Sequence, residues 1–424
     1  MKIVKRMLIV ILGMVLLVNT CGCHTPAKVR HKESVVMNSS VKDMEEKDDS
    51  KEAYNGTGVP EKIPQEVLNE YLQYLRPADD IYDFRYATDY EEYELVKLKT
   101  VHDSQGYQKI FGYANAELKD IEDALNQNPN ISERYKEFIM DFARDLRRLY
   151  PEANLAVLRH NLKTLVIDEM SQSGINQETL SMDSAACYLR AENRICVLEN
   201  LDLSRESDDY IILVHELCHA ARSVSKTESD NKLTVGYYES YKMGNYAEEA
   251  IITNLAYELQ GLGQKAIFYP MQSSYYRIIC QCIGYTPEDF FNHSVNYLIE
   301  KMDDYMGDEQ YAYQIVAMID AQSSLRYTPY QTVDFHDFLP MYEYIAKMYF
   351  KTYLIPGMSE EEAGQVFDAF YEEITFNFEN MNRKYTIDEN TFLPVFEEML
   401  AEFEIDQEQM DEGGKNAYEE KIYI

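Results

Sequence analysis

Residues 207–222 read SDDYIILVHELCHAAR and are the most informative stretch of this 424-residue chain. The opening Ser-Asp-Asp supplies a helix cap and an acidic first turn, so the stretch predicts a helix that begins there. An apolar run follows and leads into His215-Glu216-Leu217-Cys218-His219, which is an HExxH pattern. Because the flanking residues are apolar, the helix is expected to be buried with its two His and its Glu inside the protein.

The spacing of the two imidazoles favours a metal site. His215 and His219 are four residues apart and therefore lie one above the other on one helix face. From there both rings can reach a single tetrahedral zinc ion at about 2.0–2.1 Å. Zinc lowers the pKa of water to about 7, and Glu216 is placed to take a proton from that water. The alternative is a buried helix whose His residues only hydrogen-bond to neighbouring groups. Burying two His and one Glu, however, costs free energy unless a common partner such as a metal ion compensates for the lost water.

A catalytic zinc site needs a third protein ligand. Downstream, Asn245-Tyr246-Ala247-Glu248-Glu249 offers two adjacent acids at the start of a second predicted helix, which Gly261 should end. With Asn245 as the cap, Glu248 falls at the third helical position, where a capping-box acid folds back onto the cap. Glu249 is then the acid that points inward, and it is the predicted third ligand. The remaining candidates are Glu248, Glu239 and Glu258.

Two patterns carry a resemblance to a known family: His215-Glu216-x-x-His219 and Glu249-Ala250-Ile251-Ile252-Thr253. They resemble those of the gluzincins, the thermolysin-like zinc metallopeptidases, in which the third ligand is a Glu inside an Asn-Glu-[Gly/Ala]-x-x-Asp signature. Here Glu248 stands in place of the Asn and Thr253 in place of the Asp. The resemblance covers roughly residues 130–263 and implies a zincin-like α/β lobe, one bound zinc ion and peptide-bond hydrolysis. It also implies that Thr253 hydrogen-bonds a zinc-binding His, where a neutral side chain replaces a charged one.

The resemblance implies a further Tyr or His that stabilises the oxyanion of the tetrahedral intermediate. Candidates lie between the two predicted zinc helices and in the helical region after them. They are Tyr237, Tyr238, Tyr241, His293 and His336. Because the chain has 36 Tyr, the sequence does not single out one of these residues.

Residues 187–198 predict a β-hairpin. A three-residue loop, Ala191-Glu192-Asn193, puts Cys187, Leu189, Ile195 and Val197 on one face and Tyr188, Arg190, Arg194 and Cys196 on the other. Asn193 suits the left-handed conformation that such loops need. This register separates the two Cys, so no disulfide is expected between them. By the family resemblance the hairpin lines the substrate cleft; alternatively, it only covers the core.

The first 23 residues predict an export signal. Three cations, Lys2, Lys5 and Arg6, precede a 12-residue apolar stretch that is too short to span a bilayer. The stretch ends at Gly22-Cys23, which resembles the lipobox of bacterial lipoproteins and makes Cys23 the predicted lipid-bearing residue. The alternative is a plain signal peptide. No other stretch of the sequence predicts a membrane span.

The rest of the sequence divides into three parts. Residues 24–60 are polar and predict a flexible tether, residues 61–264 predict the α/β zinc-binding lobe, and residues 265–424 predict an α-helical lobe. The fold class is therefore α+β. Helical periodicity is found at 64–75, 107–127, 132–150, 308–326, 340–354, 359–385 and 392–410, a Thr286-Pro287 start signal precedes another helix, and 155–158 and 162–167 are β-prone.

These patterns predict an exported, lipid-anchored zinc metallopeptidase whose substrate is a peptide or protein. The alternative is a non-catalytic surface-binding lipoprotein with a structural zinc site. With 74 acidic and 40 basic residues the formal net charge is −34, which argues against a nucleic-acid partner because phosphate binding needs a basic surface. Membrane attachment is expected through the N-terminal lipid only, and the oligomeric state cannot be read from the sequence.

Overall fold

The computed structural model describes residues 59–72, 115–170, 186–189, 192–222, 245–261, 270–293, 296–326, 339–375, 389–403 and 405. These residues form α-helices and one three-stranded sheet, which makes the protein a helix-rich α+β fold, as predicted. The predicted signal and nearly all of the predicted tether lie outside the described residues. Within the described part, no helix combines the length and the apolar character needed to cross a bilayer.

Helices precede the sheet along the chain. They are α1 (Gln65–Leu72), α2 (Leu118–Gln127), α3 (Glu133–Leu149) and α4 (Ala156–Leu162). The β-prone interpretation of 155–158 is wrong, because α4 begins inside this run. Asn154 Oδ1 accepts the Ala156 N–H at 2.9 Å and so turns the chain into the helix. Residues 155–158 are all buried, and a short buried apolar run does not reveal by its periodicity whether it is a strand or a helix.

The sheet is small and mixed. Its strands are β1 (Val166–Met170), β2 (Ala186–Leu189) and β3 (Arg194–Leu198). The central strand β3 runs parallel to β1 and antiparallel to β2, which leaves β2 at an edge of the sheet as described. The predicted hairpin is therefore confirmed, and Asn193 has the predicted left-handed backbone, with φ of 50°.

The predicted register of the hairpin is wrong by one residue. Leu189 pairs with Arg194, so four residues rather than three connect the strands, and Cys187 lies directly opposite Cys196. Ala186, Tyr188, Ile195 and Val197 thus share the face in the main core, while the two Cys share the other face with Leu189 and Arg194. Both Cys are thiols in the structure, as expected, and do not form a disulfide. The expectation rested on a register that separates them, and that register is wrong, since the two Cys lie opposite each other.

Two helices that follow the sheet are central to the fold: α5 (Asp208–Arg222) and α6 (Asn245–Gln260). Every residue of α5 from Tyr210 onward is buried, because the helix packs against α4, β2 and α6. α6 ends where Gly261 adopts a φ of +79°, as the sequence predicted. A glycine reaches this left-handed conformation without the steric cost that a side chain would add.

The remainder of the described chain is helical. Its elements are α7 (Pro270–Ile283), α8 (Pro287–Asn292), α9 (Asn296–Met306), α10 (Glu309–Arg326), α11 (Leu339–Tyr353), α12 (Glu360–Thr375), a short 3-10 turn (Glu389–Thr391) and α13 (Leu393–Glu402). The predicted cap of α8 is confirmed, since Thr286 Oγ1 accepts the Asp289 N–H at 3.1 Å. α7 packs against α6, and α1 packs against α10. One hydrophobic core runs from Ile63 to Ile405 through both predicted lobes, whose boundary remains a prediction.

Candidate metal centre

The site lies where α5 packs against α6. α5 presents His215 and His219 from successive turns of one face, and α6 presents Glu249 opposite them. One ligand atom from each of the three side chains lies within 4.8 Å of the other two. All three residues are buried. The structure therefore brings together the three residues that the sequence predicted as a metal-binding set.

The three atoms form a nearly equilateral triangle. His215 Nε2 lies 3.1 Å from Glu249 Oε2 and 3.2 Å from His219 Nε2, and His219 Nε2 lies 3.4 Å from Glu249 Oε2. Ligands at about 2.0–2.1 Å from a tetrahedral zinc ion are about 3.3 Å apart. Each edge of the triangle is close to that separation. The two N atoms and one O atom also match the His₂Glu donor set of catalytic zinc sites.

The outer nitrogen of each imidazole has its own partner. His219 Nδ1 lies 3.0 Å from Glu248 Oε1, and His215 Nδ1 lies 3.4 Å from Thr253 Oγ1. An Nδ1–H that donates to a carboxylate leaves the Nε2 lone pair free for a metal and fixes the ring's orientation. Thr253 thus contacts one of the two His residues, as the resemblance implied, although a neutral hydroxyl at 3.4 Å holds the ring more weakly than a carboxylate.

Glu248 lies in a different place from the one predicted. Capping considerations placed its side chain over the first turn of α6, but the structure places it against His219, fully excluded from solvent. A buried carboxylate needs a partner, and the imidazole supplies one. Glu248 and Glu249 are adjacent acids on one buried helix, so both carboxylates need buried partners. This adjacency is the sequence signal from which a contact between Glu248 and the His pair could have been predicted.

The charge of Glu249 is set by the two imidazoles. Burial by itself would raise the pKa of this carboxyl, but His219 and His215, through their charge and their hydrogen bonds, hold the pKa well below its usual range. The carboxylate form of Glu249 is therefore favoured at neutral pH. This is the form that a divalent cation requires.

Glu216 is buried beside the triangle and is held by the sheet. The Tyr188 N–H of β2 donates to Glu216 Oε2 at 2.7 Å. Because β2 is at the sheet edge, this backbone N–H is available to a side chain of α5 rather than to another strand. The hydrogen bond orients the carboxylate next to the His pair, and no pattern in the sequence predicts it.

The helix that carries the His pair is fixed from the other side as well. Asn161 Nδ2 donates to the Ala220 carbonyl at 2.7 Å, and Asn193 Nδ2 donates to the Asn161 carbonyl at 2.8 Å. The guanidinium of Arg222 lies 5.1 Å from the centre of the Phe290 ring. A site built on a helix held by such contacts keeps its side chains in a narrow range of orientations.

Cys218 lies inside the pentapeptide from His215 to His219 but is not part of the cluster. Its side chain is fully buried. Burial, together with the negative charge of Glu216, raises the pKa of the thiol far above its usual value. Cys218 is therefore a neutral, buried thiol that packs under the helix, as the sequence suggested.

Several other predicted site residues are not at the triangle. Glu258, one of the alternative ligands, accepts a hydrogen bond from the Tyr150 hydroxyl instead. The side chain of His293 is 44% exposed, with its Nε2 3.6 Å from Asp289 Oδ1 and its ring stacked on Tyr297. The remaining candidates, Tyr237, Tyr238, Tyr241, Glu239, His336 and the lipidation candidate Cys23, lie outside the described residues.

Comparison with known proteins adds no relative. No protein-family model, no curated protein and no solved structure matches this chain significantly. The gluzincin resemblance therefore rests on the quoted motifs alone.

Proposed function

We propose that this protein is a zinc-dependent metallopeptidase. The observation that carries the proposal is the triangle of His215 Nε2, His219 Nε2 and Glu249 Oε2, with edges of 3.1–3.4 Å, beside the buried carboxylate of Glu216. These are the donor types and separations that hold a tetrahedral zinc ion. The proposed site would bind one ion.

His215, His219 and Glu249 would hold the metal, and the metal would act as a Lewis acid that makes water nucleophilic at neutral pH and polarises a carbonyl. Among the described residues, no fourth His, Cys, Asp or Glu joins the cluster. A tetrahedral ion with three protein ligands keeps one position for water or substrate, whereas a structural zinc site is closed by a fourth protein ligand. The donor set thus favours a catalytic site over a structural one.

Glu216 would act as general base and then as general acid. Its carboxylate would take the proton of the attacking water and pass it to the amine that leaves when the peptide bond breaks. The hydrogen bond from the Tyr188 N–H occupies Oε2 and fixes the plane of the carboxylate. A positioned carboxylate of this kind contributes about 10²–10⁴-fold to a reaction rate.

The strand β2 is the proposed place for the substrate chain. It is one of the two edge strands of the described sheet, and it lies beside α5 close to Glu216. An extended peptide can add to such an edge through backbone hydrogen bonds, here with backbone groups other than the Tyr188 N–H, which donates to Glu216. This arrangement supports a peptide or protein as the substrate.

We propose that the protein acts outside the cytoplasm, anchored through a lipid on Cys23. The support is the sequence of residues 1–23, with its cationic start, apolar stretch and Gly22-Cys23 end. Metabolic labelling with a fatty acid tests this proposal. Wild-type chain should incorporate the label and Cys23→Ala should not; equal labelling of both would contradict it.

The peptidase proposal is tested with Glu216→Gln and a matched control, Glu258→Gln. Both variants replace a carboxylate by an amide, but Glu258 lies on α6 against Tyr150 rather than at the triangle. We expect Glu216→Gln to retain zinc and to lose hydrolysis of a mixed peptide library by at least about 10²-fold, with Glu258→Gln close to wild type. Library cleavage is followed by mass spectrometry and zinc by elemental analysis.

Retained hydrolysis in Glu216→Gln would contradict the mechanism. A wild-type chain that binds zinc but cleaves no peptide would instead indicate the alternative, a surface-binding lipoprotein whose metal site is structural.

A further inference from the structure

A series of buried hydrogen bonds connects Glu216 to the loop of the hairpin. The Tyr188 N–H donates to Glu216 Oε2 at 2.7 Å, and the hydroxyl of the same Tyr188 donates to Asn193 Oδ1 at 3.0 Å. Tyr188, Asn193 and Glu216 are all buried. Asn193 therefore holds the side chain of the residue whose backbone holds the proposed general base.

The side-chain amide of Asn193 makes three contacts at once. Its Nδ2 donates to the Asn161 carbonyl at 2.8 Å and to Thr164 Oγ1 at 2.9 Å, while its Oδ1 accepts the Tyr188 hydroxyl. A primary amide offers both donors and an acceptor in one plane. The backbone of Asn193 has a φ of 50°, in the left-handed region that Asn tolerates better than most residues. The amide thus ties β2 to the end of α4.

The same series of contacts returns to the helix that carries Glu216. Asn161 Nδ2 donates to the Ala220 carbonyl at 2.7 Å. This carbonyl belongs to the last turn of α5, where backbone C=O groups have no partner within the helix. Glu216 and Ala220 are four residues apart, so the series begins and ends on neighbouring turns of α5. Asn193 lies in the middle of this closed path through β2, α4 and α5.

We propose that Asn193 is a positioning residue for the general base Glu216. This inference rests on the proposed function, because a general base has a role only if the site hydrolyses a substrate. With the amide in place, Tyr188 keeps β2 against α5, and its N–H fixes one oxygen of the carboxylate. Without the amide, the Tyr188 hydroxyl and the Asn161 carbonyl each lose a buried partner, and β2 is free to shift. The carboxylate then adopts orientations from which it takes the proton of the water less efficiently.

Two substitutions test this role, each with a matched control. Asn193→Gly removes the amide and leaves a residue that adopts the left-handed backbone freely. Its control is Asn200→Gly, because Asn200 also has a left-handed backbone, with φ of 66°, but is exposed. Tyr188→Phe removes only the hydroxyl that Asn193 accepts. Its control is Tyr353→Phe, because Tyr353 lies on α11 and is 37% exposed.

The first readout is the NMR signal of the Tyr188 amide, which does not depend on activity. Cys187-Tyr188 is the only place in the sequence where Cys precedes Tyr, so isotopic labelling of the Cys carbonyl carbon and the Tyr nitrogen isolates this one amide. Its hydrogen bond to a carboxylate at 2.7 Å moves the proton signal downfield. We expect an upfield shift in Asn193→Gly, in the direction that Glu216→Gln produces, and no shift in Asn200→Gly. For Tyr188→Phe and its control, the Phe nitrogen is labelled as well.

The second readout is hydrolysis of one peptide that the wild-type chain cleaves, chosen from the mixed library. Asn193→Gly should lower kcat by about 10–100-fold, which is at most the lower end of what a general base contributes. Tyr188→Phe should lower kcat less, because Asn193 keeps its other contacts. KM should change less than kcat, since the contact orients the base, and zinc content should equal that of wild type. Both controls should cleave at the wild-type rate.

Three results would overturn the proposal. The first is a wild-type amide signal in folded Asn193→Gly, or in Tyr188→Phe if Asn193→Gly does not fold. The second is a kcat equal to that of the matched control. The third is a loss of zinc in step with the loss of kcat, which would indicate a structural role only. A wild-type chain that cleaves no peptide would contradict the proposed function instead, and the amide signal would still decide whether Asn193 holds the contact with Glu216.

Discussion

The contact between α5 and α6 differs in kind from the contact among α11, α12 and α13. Between α5 and α6 the buried side chains include ionisable groups: His215, His219, Glu216, Glu248 and Glu249. Among the other three helices the buried centre is aromatic. Phe350 of α11 contacts Phe367 and Phe370 of α12 and Phe396 of α13, with ring centres 4.9–6.1 Å apart.

The two contacts have different consequences for stability, because one buries aromatic rings and the other buries ionisable groups. Aromatic burial stabilises a fold directly, through apolar area removed from water and favourable ring geometry. Burying ionisable groups costs free energy unless every one of them is paired. Here each imidazole has a partner on either side, and the inner partners all converge on one point. A shared cation would explain why these three side chains converge, whereas packing alone would not.

We expect the largest effect from a substitution in the aromatic region. It should lower the free energy of unfolding and leave the metal site unchanged. Phe350 is fully buried among three rings, so Phe350→Ala should lower the free energy of unfolding by about 3–5 kcal/mol. Zinc affinity of the folded protein should be unchanged. Denaturant unfolding and a zinc titration measure the two quantities. Tyr353→Ala is the control, because Tyr353 is 37% exposed. A large loss of zinc affinity in folded Phe350→Ala would show that the two regions are not independent.

An intermediate effect is expected at the outer nitrogen of His219. Glu248→Gln keeps the size of the side chain and removes the charge that orients the ring at 3.0 Å. Zinc affinity should fall by about 10–100-fold. Competition with a chelator at fixed pH measures the affinity, and Glu258→Gln is the matched control on the same helix. Affinity within a factor of two of wild type would mean that Glu248 does not support the site.

The smallest effect is expected at His215. Thr253→Val preserves shape and removes only the hydroxyl that lies 3.4 Å from His215 Nδ1. Because this contact is long and uncharged, zinc affinity should fall by less than about tenfold, below the range for charged partners of metal-binding His residues. The same chelator competition measures it. A loss larger than that of Glu248→Gln would reverse the order of importance of the two outer contacts.

Local rules predicted the parts of the site that depend on one helix at a time. A four-residue spacing places His215 and His219 on one face. Glu249 is the predicted ligand, but the reason for preferring it was wrong, because Glu248 lies against His219 and not over the cap. The end of α6 at Gly261 followed from the same rules. Each of these features is decided within about one helical turn.

The parts that were missed depend on how elements pack. Glu248 contacts His219 and the Tyr188 N–H contacts Glu216 only because α6 and β2 both lie against α5. The predicted register of the hairpin was wrong for a related reason. Both faces of β2 and β3 are largely buried, so alternation of apolar and polar residues gave no unique choice, and the loop fixed by Asn193 decided it.

In the proposed site, Glu249 completes a zinc-binding set with His215 and His219. The decisive measurement is the zinc content of the purified chain in wild type, Glu249→Gln and Glu258→Gln, determined by elemental analysis after dialysis against a weak chelator. We expect one zinc ion per chain in wild type and in Glu258→Gln, and a near-complete loss in Glu249→Gln while its helical content is retained. Full zinc occupancy in Glu249→Gln, or none in wild type, would contradict the claim.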